Sequence, residues 1–294
     1  MEVNLFLSRE VCSLPTTPSP LRYPGGKAKL YKYVKEILDL NNLHGTYIEP
    51  FAGGAGLAIK LLLNNDVKRI VINDSDSAIY SFWQCVLYHT DELCQFIETV
   101  PITYDEWLQQ RAIYLNQSQY SEIEIGKAAF FLNRTNVSGI LKGGIIGGKD
   151  QTGASPMFAR FNRAKLIQKI NRIAACSDKI DVYNLDALDF LSPQVMRRYY
   201  KVLINFDPPY VEKGGKLYMN YFTEEDHRKL RDAIAKCSRK WIVTYDVCEL
   251  TASLYKSFRG SFVNITYSAH GAPKSKEYIF FSNNLIIPSN ILLL

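Results

Sequence analysis

Asp207-Pro208-Pro209-Tyr210 gathers a carboxylate, a proline carbonyl and an aromatic ring into one tetrapeptide. Proline has no N–H and holds φ near about −65°, so the turn is stiff and extended. A planar group carrying an NH2 suits it: the carboxylate and a carbonyl accept one hydrogen each, and the ring stacks on the flat face. The turn follows Lys201-Val202-Leu203-Ile204-Asn205-Phe206, an apolar, β-branched run that reads as a buried strand. Asp207 therefore stands at the carboxyl end of a strand, where open α/β sheets bind ligands. An ordinary Pro-Pro turn would need no such chemistry, and the tetrapeptide alone does not exclude one.

The rest of the chain supplies context. Leu21-Arg22-Tyr23-Pro24-Gly25-Gly26-Lys27 is a turn opening onto a helix from Lys29 to Leu40. Tyr47-Ile48-Glu49 is a short strand running into Pro50-Phe51-Ala52-Gly53-Gly54-Ala55-Gly56, and an apolar helix follows to Leu63. In a strand, glycine turn and helix the backbone can approach a ligand closely. Arg69 to Asn73 is a second strand, ending at Asp74. An acid about 20 residues past such glycines receives ribose hydroxyls in nucleotide-binding α/β units. Ile180 to Leu185 is a further strand, closed by Asp186, which could equally be a helix N-cap. A helix over Glu224–Cys237, a strand over Trp241–Tyr245 and an antiparallel hairpin from Ser261–Ser268 and Glu277–Ser282 complete a doubly wound α/β sheet.

At 294 residues and 47% hydrophobic, the chain can bury the core of one large domain or two. Cys12, Cys85, Cys94, Cys176, Cys237 and Cys248 show no CxxC pair and no metal-ligand spacing, so reduced thiols and no metal are expected. The N-terminus lacks the pattern of a signal peptide, and no run approaches the ~18 apolar residues of a membrane span. A cytoplasmic protein is the expectation. Residues 1–20, interrupted by Pro15, Pro18 and Pro20, read as a poorly ordered leader. Residues 89–176 break the α/β pattern and read as an inserted, helix-and-loop domain between catalytic segments 21–88 and 177–294. From Gly126 to Arg172 the insert carries nine basic residues against one acid, Asp150. Such an excess marks a polyanion-binding surface more readily than an ordinary solvated face.

Four blocks together resemble the DNA adenine methyltransferases of the class whose best-known member methylates GATC. They are Tyr23-Pro24-Gly25-Gly26-Lys27, Glu49-Pro50-Phe51-Ala52-Gly53, Phe131-Leu132-Asn133-Arg134-Thr135-Asn136 with a later Arg160-Phe161-Asn162, and Asp207-Pro208-Pro209-Tyr210. They fall in that class's order over residues 21–222, and Trp241–Asp246 and Lys276–Asn283 extend the likeness. One departure is that the family's second loop glycine falls on Ala55. Another is the run of glycines after Asn136.

The resemblance implies a Rossmann-like methyltransferase sheet with a late antiparallel strand and an inserted target-recognition domain. It implies S-adenosylmethionine as methyl donor and double-stranded DNA as substrate. A cognate restriction endonuclease is a candidate partner, and a monomer is expected. Tyr23, Lys27, Asp74 and Asp207 would contact the donor, Phe51 and Gly53 would line its pocket, and Asp186 would lie near its adenine. Asp207 and the Pro208 carbonyl would accept the amine of a flipped-out adenine while Tyr210 stacks on it. Arg134, Asn136, Lys142, Arg160, Asn162 and Arg163 are the candidate DNA contacts. His227 and His270 show no evident partner. The rival readings are the same chemistry on RNA, a catalytically silent DNA-binding relative, and a protein-glutamine methyltransferase, which usually has Asn in place of Asp207.

Overall fold

The structure is a computed structural model that describes residues 17–23, 27–211, 222–266, 274–289 and 293. Most of the expected leader, the Pro24-Gly25-Gly26 turn, His270 and the tip of the expected hairpin lie outside these residues.

The short apolar runs pair into one sheet. In chain order the strands are β1 (Thr46–Glu49), β2 (Arg69–Asn73), β3 (Ile180–Tyr183), β4 (Val202–Phe206), β5 (Lys240–Asp246), β6 (Arg259–Thr266) and β7 (Lys274–Phe281). They lie in the order β3-β2-β1-β4-β5-β7-β6. The first five are parallel, and β7 runs antiparallel between β5 and β6. From β1 the chain moves outward through β2 to β3, then returns to place β4 on the other side of β1. Strand order therefore reverses between β1 and β4, the position at which such sheets open a ligand crevice. Glu49 and Asp207 end or follow these two strands, with Ile48 opposite Ile204 in register.

Strand alternation divides the core in two. Tyr47, Ile70, Leu203 and Ile242 face one layer with α1 (Tyr31–Asn41), α2 (Gly56–Leu63) and α3 (Ser77–Tyr88). Ile48, Val71, Ile204 and Val243 face the other. That second layer holds the short α8 (Ala187–Phe190) and α9 (Pro193–Met196), with α10 (Glu224–Lys236) and α11 (Glu249–Tyr255). Because successive strand side chains point to opposite faces, parallel strands covered on both sides are apolar throughout.

The segment between β2 and β3 is mainly helical, as the helical stretches Asp105–Leu115 and Ile123–Phe131 of its sequence suggest. It contains α4 (Thr90–Thr99), α5 (Tyr104–Leu115), α6 (Glu122–Thr135) and α7 (Arg163–Ala174). Ser121 and Glu124 form a reciprocal capping box at α6, and Asn162 caps α7 by accepting from the Lys165 N–H at 3.0 Å. The glycine-rich stretch between α6 and α7 is built of turns, pinned by a bridge between Asn136 and Ile145. These helices share the core of the first sheet face. Phe130 of α6 stacks on Phe82 of α3 at 5.9 Å, and both are fully buried. Within the expected leader, Lys169 Nζ donates to the carbonyls of Thr17 and Ser19 at 2.7 and 3.1 Å. Residues 17–20 are thus tied to α7 and are not part of a loose leader.

Among the described residues the cysteines are free. No helix there is long and apolar enough to cross a membrane. The α3–α6 contact depends on Gly126, where a Cβ would sit 2.5 Å from Cys85 Sγ and 2.6 Å from the Ser81 carbonyl oxygen. Gly126→Val should therefore destabilise the fold by about 1–3 kcal/mol through overpacking. The measurement is a denaturant melt; an unchanged midpoint would mean the two helices do not pack as described.

Candidate active site

The glycine turn after β1 is braced by the end of β2. Gly53 has φ +45°, and a Cβ there would lie 2.5 Å from the Tyr23 ring, which covers it. Its N–H donates to Asp74 Oδ2 at 2.8 Å, and its carbonyl accepts from Trp83 Nε1 at 3.0 Å. Asp74 Oδ1 accepts from the Asp76 N–H at 3.0 Å. Ala55, where the resembling family has glycine, takes the left-handed conformation (φ 44°, ψ 31°), a strained choice for a residue with a Cβ. Asn73, which the sequence did not single out, is 1% exposed and joins three strand ends. Its amide donates to the Pro50 and Leu185 carbonyls and accepts from the Leu185 N–H, each at 3.0 Å.

At the end of β4 four distant parts of the chain meet. Lys27 Nζ lies 2.9 Å from Asp207 Oδ1 and 3.3 Å from Glu277 Oε2, and donates to the Tyr210 hydroxyl at 2.7 Å. Thr244 of β5 also donates to Asp207 Oδ1, at 2.9 Å. Lys27 is 6% exposed and Glu277 is fully buried. Burial alone would lower the Lys27 pKa, but the Asp207 and Glu277 carboxylates outweigh it and the ammonium is raised. Burial raises Asp207, against the opposing pull of Lys27. Tyr210 was expected to stack on the base; the structure gives its hydroxyl as an acceptor for a buried cation. Glu277 and Thr244 escaped the sequence reading. For Glu277 a signal existed, since it lies in phase with the buried Ile279 and Phe281 of β7. An acid on an apolar stripe requires a partner.

Glu49, at the end of β1 beside this cluster, is pushed up to about 8, chiefly by burial and then by the Asp207 carboxylate. Asp74 is pushed up to about 7, by burial and then by Asp76, although two backbone N–H groups pull it down. Asp186 is a helix cap that also borders a cleft. It caps α8, accepting from the Leu188 N–H at 2.8 Å, and it lines a cleft of about 240 Å³ with Ser75, Phe222, Lys229 and Leu230. Phe51 meets Phe222 edge-on at 6.0 Å, which links the glycine turn to that cleft. His227 has a partner after all: its Nδ1 lies 2.7 Å from the Tyr245 hydroxyl.

The candidate DNA contacts separate into two groups. Asn136 is fully buried, accepting from Trp107 Nε1 at 2.7 Å and donating to the Ile140 and Leu141 carbonyls at 2.9 Å. Arg163 donates to the Ile97 and Val100 carbonyls, satisfying the open C-terminal end of α4. Arg134 donates to the carbonyls of Pro20 and Arg160, and burial lowers its pKa to about 9, helped by Arg22 and Arg160. Asn162 is the α7 cap. Backbone groups thus engage all four of these side chains, although Asn162 is itself exposed. Lys142 and Arg160 are exposed, as are Lys149 and Lys165 of the same basic window.

A parallel sheet with one strand turned antiparallel near its edge, a glycine turn after β1 and an acid-proline-proline-tyrosine turn after β4 define a Rossmann-like methyltransferase. The chain belongs to the D12 class N6 adenine-specific DNA methyltransferases, whose family pattern matches residues 23–268. It is a DNA adenine methyltransferase, and the family implies DNA as substrate and a methyl donor of the S-adenosylmethionine type. It is 22% identical over 240 residues to the Type II methyltransferase M.MjaIII of Methanocaldococcus jannaschii, covering 75% of this chain and 80% of that one. Among solved structures it has a likeness to an uncharacterized protein from Listeria monocytogenes serotype 4b, with 8% identity and a TM-score of 0.32. That alignment covers 87% of this chain and 71% of the other, and at this score it carries no weight.

Both raised carboxyls bind a proton more readily folded than unfolded. Their contribution to stability is therefore full below the unfolded values and is lost as pH rises through the folded ones. For Glu49 that window runs from 4.5 to about 8. Glu49→Gln should flatten the decline of Tm with pH across this window. Parallel wild-type and variant curves would show that Glu49 is not a buried neutral acid.

Proposed function

We propose that this enzyme transfers a methyl group from S-adenosylmethionine to the exocyclic amine of an adenine turned out of duplex DNA. The observation that carries this reading is the state of Asp207. Its Oδ1 is fixed by Lys27 and Thr244, which leaves Oδ2 to accept one amine hydrogen. The Pro208 carbonyl accepts the other. The amine lone pair, normally delocalised into the ring, is then turned towards the methyl group. S-adenosylmethionine supplies an electrophilic methyl on a sulfonium centre. Catalysis by the protein is otherwise positioning and preorganised electrostatics. Tyr210 stacks on the base, and its orientation is set by the bond from Lys27.

The residues present fit the donor. The Gly53 turn under Tyr23 allows close backbone approach, Asp74 offers carboxylate oxygens beside it, and Phe51, Phe222 and Asp186 border the adjoining cleft. Lys27 supports the site from behind Asp207 and Tyr210. The target amine is stacked and paired in a duplex, so the base must leave the helix, at a cost of about a few kcal/mol. We assign residues 89–176 the role of holding the DNA for this step, with Lys142, Lys149, Arg160 and Lys165 as its phosphate contacts.

Two experiments test the reading. Asp207→Ala should abolish methylation of duplex DNA while the variant still melts cooperatively; substantial activity in a folded variant would overturn the assignment. Neutralising Lys142, Lys149, Arg160 and Lys165 together should flatten the plot of log affinity against log salt, by about 0.9 for each phosphate left without its cation. Neutralising Arg134 and Arg163 should instead lower Tm. An unchanged slope in the first set would put the DNA on another face.

A further inference from the structure

Glu277 is a fully buried acid in β7, a strand covered by β5 on one side and β6 on the other. A buried carboxylate is costly unless it is paired. Its cation, Lys27, comes from the opposite end of the chain and is already paired with Asp207. Asp207 alone would neutralise Lys27, so a second carboxylate on the same ammonium calls for a reason. Geometry offers one. An ammonium has three hydrogens on a flexible stem, and as a point charge it has little directional preference of its own. Asp207 at 2.9 Å and Tyr210 at 2.7 Å approach Nζ from the turn after β4, and Glu277 at 3.3 Å approaches it from β7. Asp207 and Tyr210 belong to the turn that must be held; Glu277 sits in a strand hydrogen-bonded on both sides and is the rigid member of the three.

We propose that Glu277 is a positioning residue for methyl transfer: it anchors the Lys27 ammonium to the sheet, and Lys27 in turn fixes the Asp207 carboxylate and the Tyr210 ring in their accepting and stacking positions. The proposal rests on the reading of Asp207 as acceptor of the target amine. The charge arrangement gives it a signature that a packing role lacks. Among the described residues, the groups facing Asp207 are Lys27 ahead of α1, Tyr47 and Glu49 of β1, Thr244 and Tyr245 of β5, and Glu277 of β7, with Asp246 opposite Glu277 in register. Of these, Glu277 favours the protonated form of Asp207 and Lys27 favours the ionised form. Removing the charge of Glu277 should move the acid limb of kcat/KM to lower pH, and removing that of Lys27 should move it higher.

The test uses the full chain with Glu277→Gln, Glu277→Asp and Lys27→Met. Methylation of duplex DNA is followed against pH, and Lys27 acylation by an amine-reactive ester is followed by mass spectrometry without donor or DNA. For Glu277→Gln we expect kcat to fall about tenfold, the scale of one lost buried ion-pair contact, with KM for DNA near that of the wild type. Its acid limb should move opposite to that of Lys27→Met, and its Lys27 should acylate several-fold faster at alkaline pH than in the wild type. Glu277→Asp, which keeps the charge, should leave the acid limb in place. A Glu277→Gln protein with a lowered Tm but wild-type kcat, acid limb and Lys27 acylation would overturn the proposal and make Glu277 a packing residue. Activity in Asp207→Ala would instead sink the reading of the site, with the acylation result still standing for or against Glu277.

Discussion

A buried lysine is the constraint on which the rest of this structure depends. Lys27 is nearly inaccessible, and an ammonium stays in such a place only if carboxylates and hydrogen-bond acceptors surround it. Satisfying it draws together the N-terminal turn, the end of β4 and the strand β7, segments separated by most of the length of the chain. The same interactions orient the chemistry. Asp207 is held through one oxygen by Lys27 and Thr244, and in the proposed reaction the other accepts the amine. Removing Lys27 would cost about 3–5 kcal/mol, because Asp207 and Glu277 would then be buried without their cation. Stability and the proposed activity at this position therefore rest on the same atoms.

Sheet topology explains why the cluster forms where it does. The reversal of strand order between β1 and β4 opens the sheet at its carboxyl edge, and Glu49, Gly53, Asp74 and Asp207 all stand at that edge or in the turns leaving it. Asn73 and Asp74 brace this edge from the β2 side, so the glycine turn is rigid although its sequence is permissive. In the proposed reaction, rigidity at the strand ends would hold a carboxylate and a carbonyl at fixed separation from an incoming base.

The helical segment between β2 and β3 shows how charge is divided between architecture and function. Its arginines and asparagines next to the core bond to backbone carbonyls: Arg163 at the end of α4, Arg134 at Pro20 and Arg160, and Asn136 within its own turn. Asn133 does the same for the N-terminal motif. It accepts from the Arg22 N–H at 2.7 Å and donates to the Arg22 carbonyl at 2.8 Å, which docks the segment leading to Lys27 onto α6. The helices of residues 89–176 and the buried lysine are thereby parts of one packed body.

The sequence alone determined what local physics determines. An apolar β-branched run must be strand, a glycine turn must follow β1, and two prolines must stiffen the chain after Asp207, so the Asp207 turn, the sheet class and the hairpin of β6 and β7 were all legible. Of the helices in residues 89–176, α5 and α6 were legible over Asp105–Leu115 and Ile123–Phe131, whereas α7 was not, because it begins within a stretch of turns. Only the tertiary structure decided which side chains meet. Nothing near Lys27 in the chain says that its partners are residues 207, 210 and 277, and nothing near Arg163 or Asn136 says that carbonyls have already claimed them. Backbone preference acts over a few residues, whereas the cost of an unpaired buried charge or amide is settled by whatever the fold brings within about 3 Å of it.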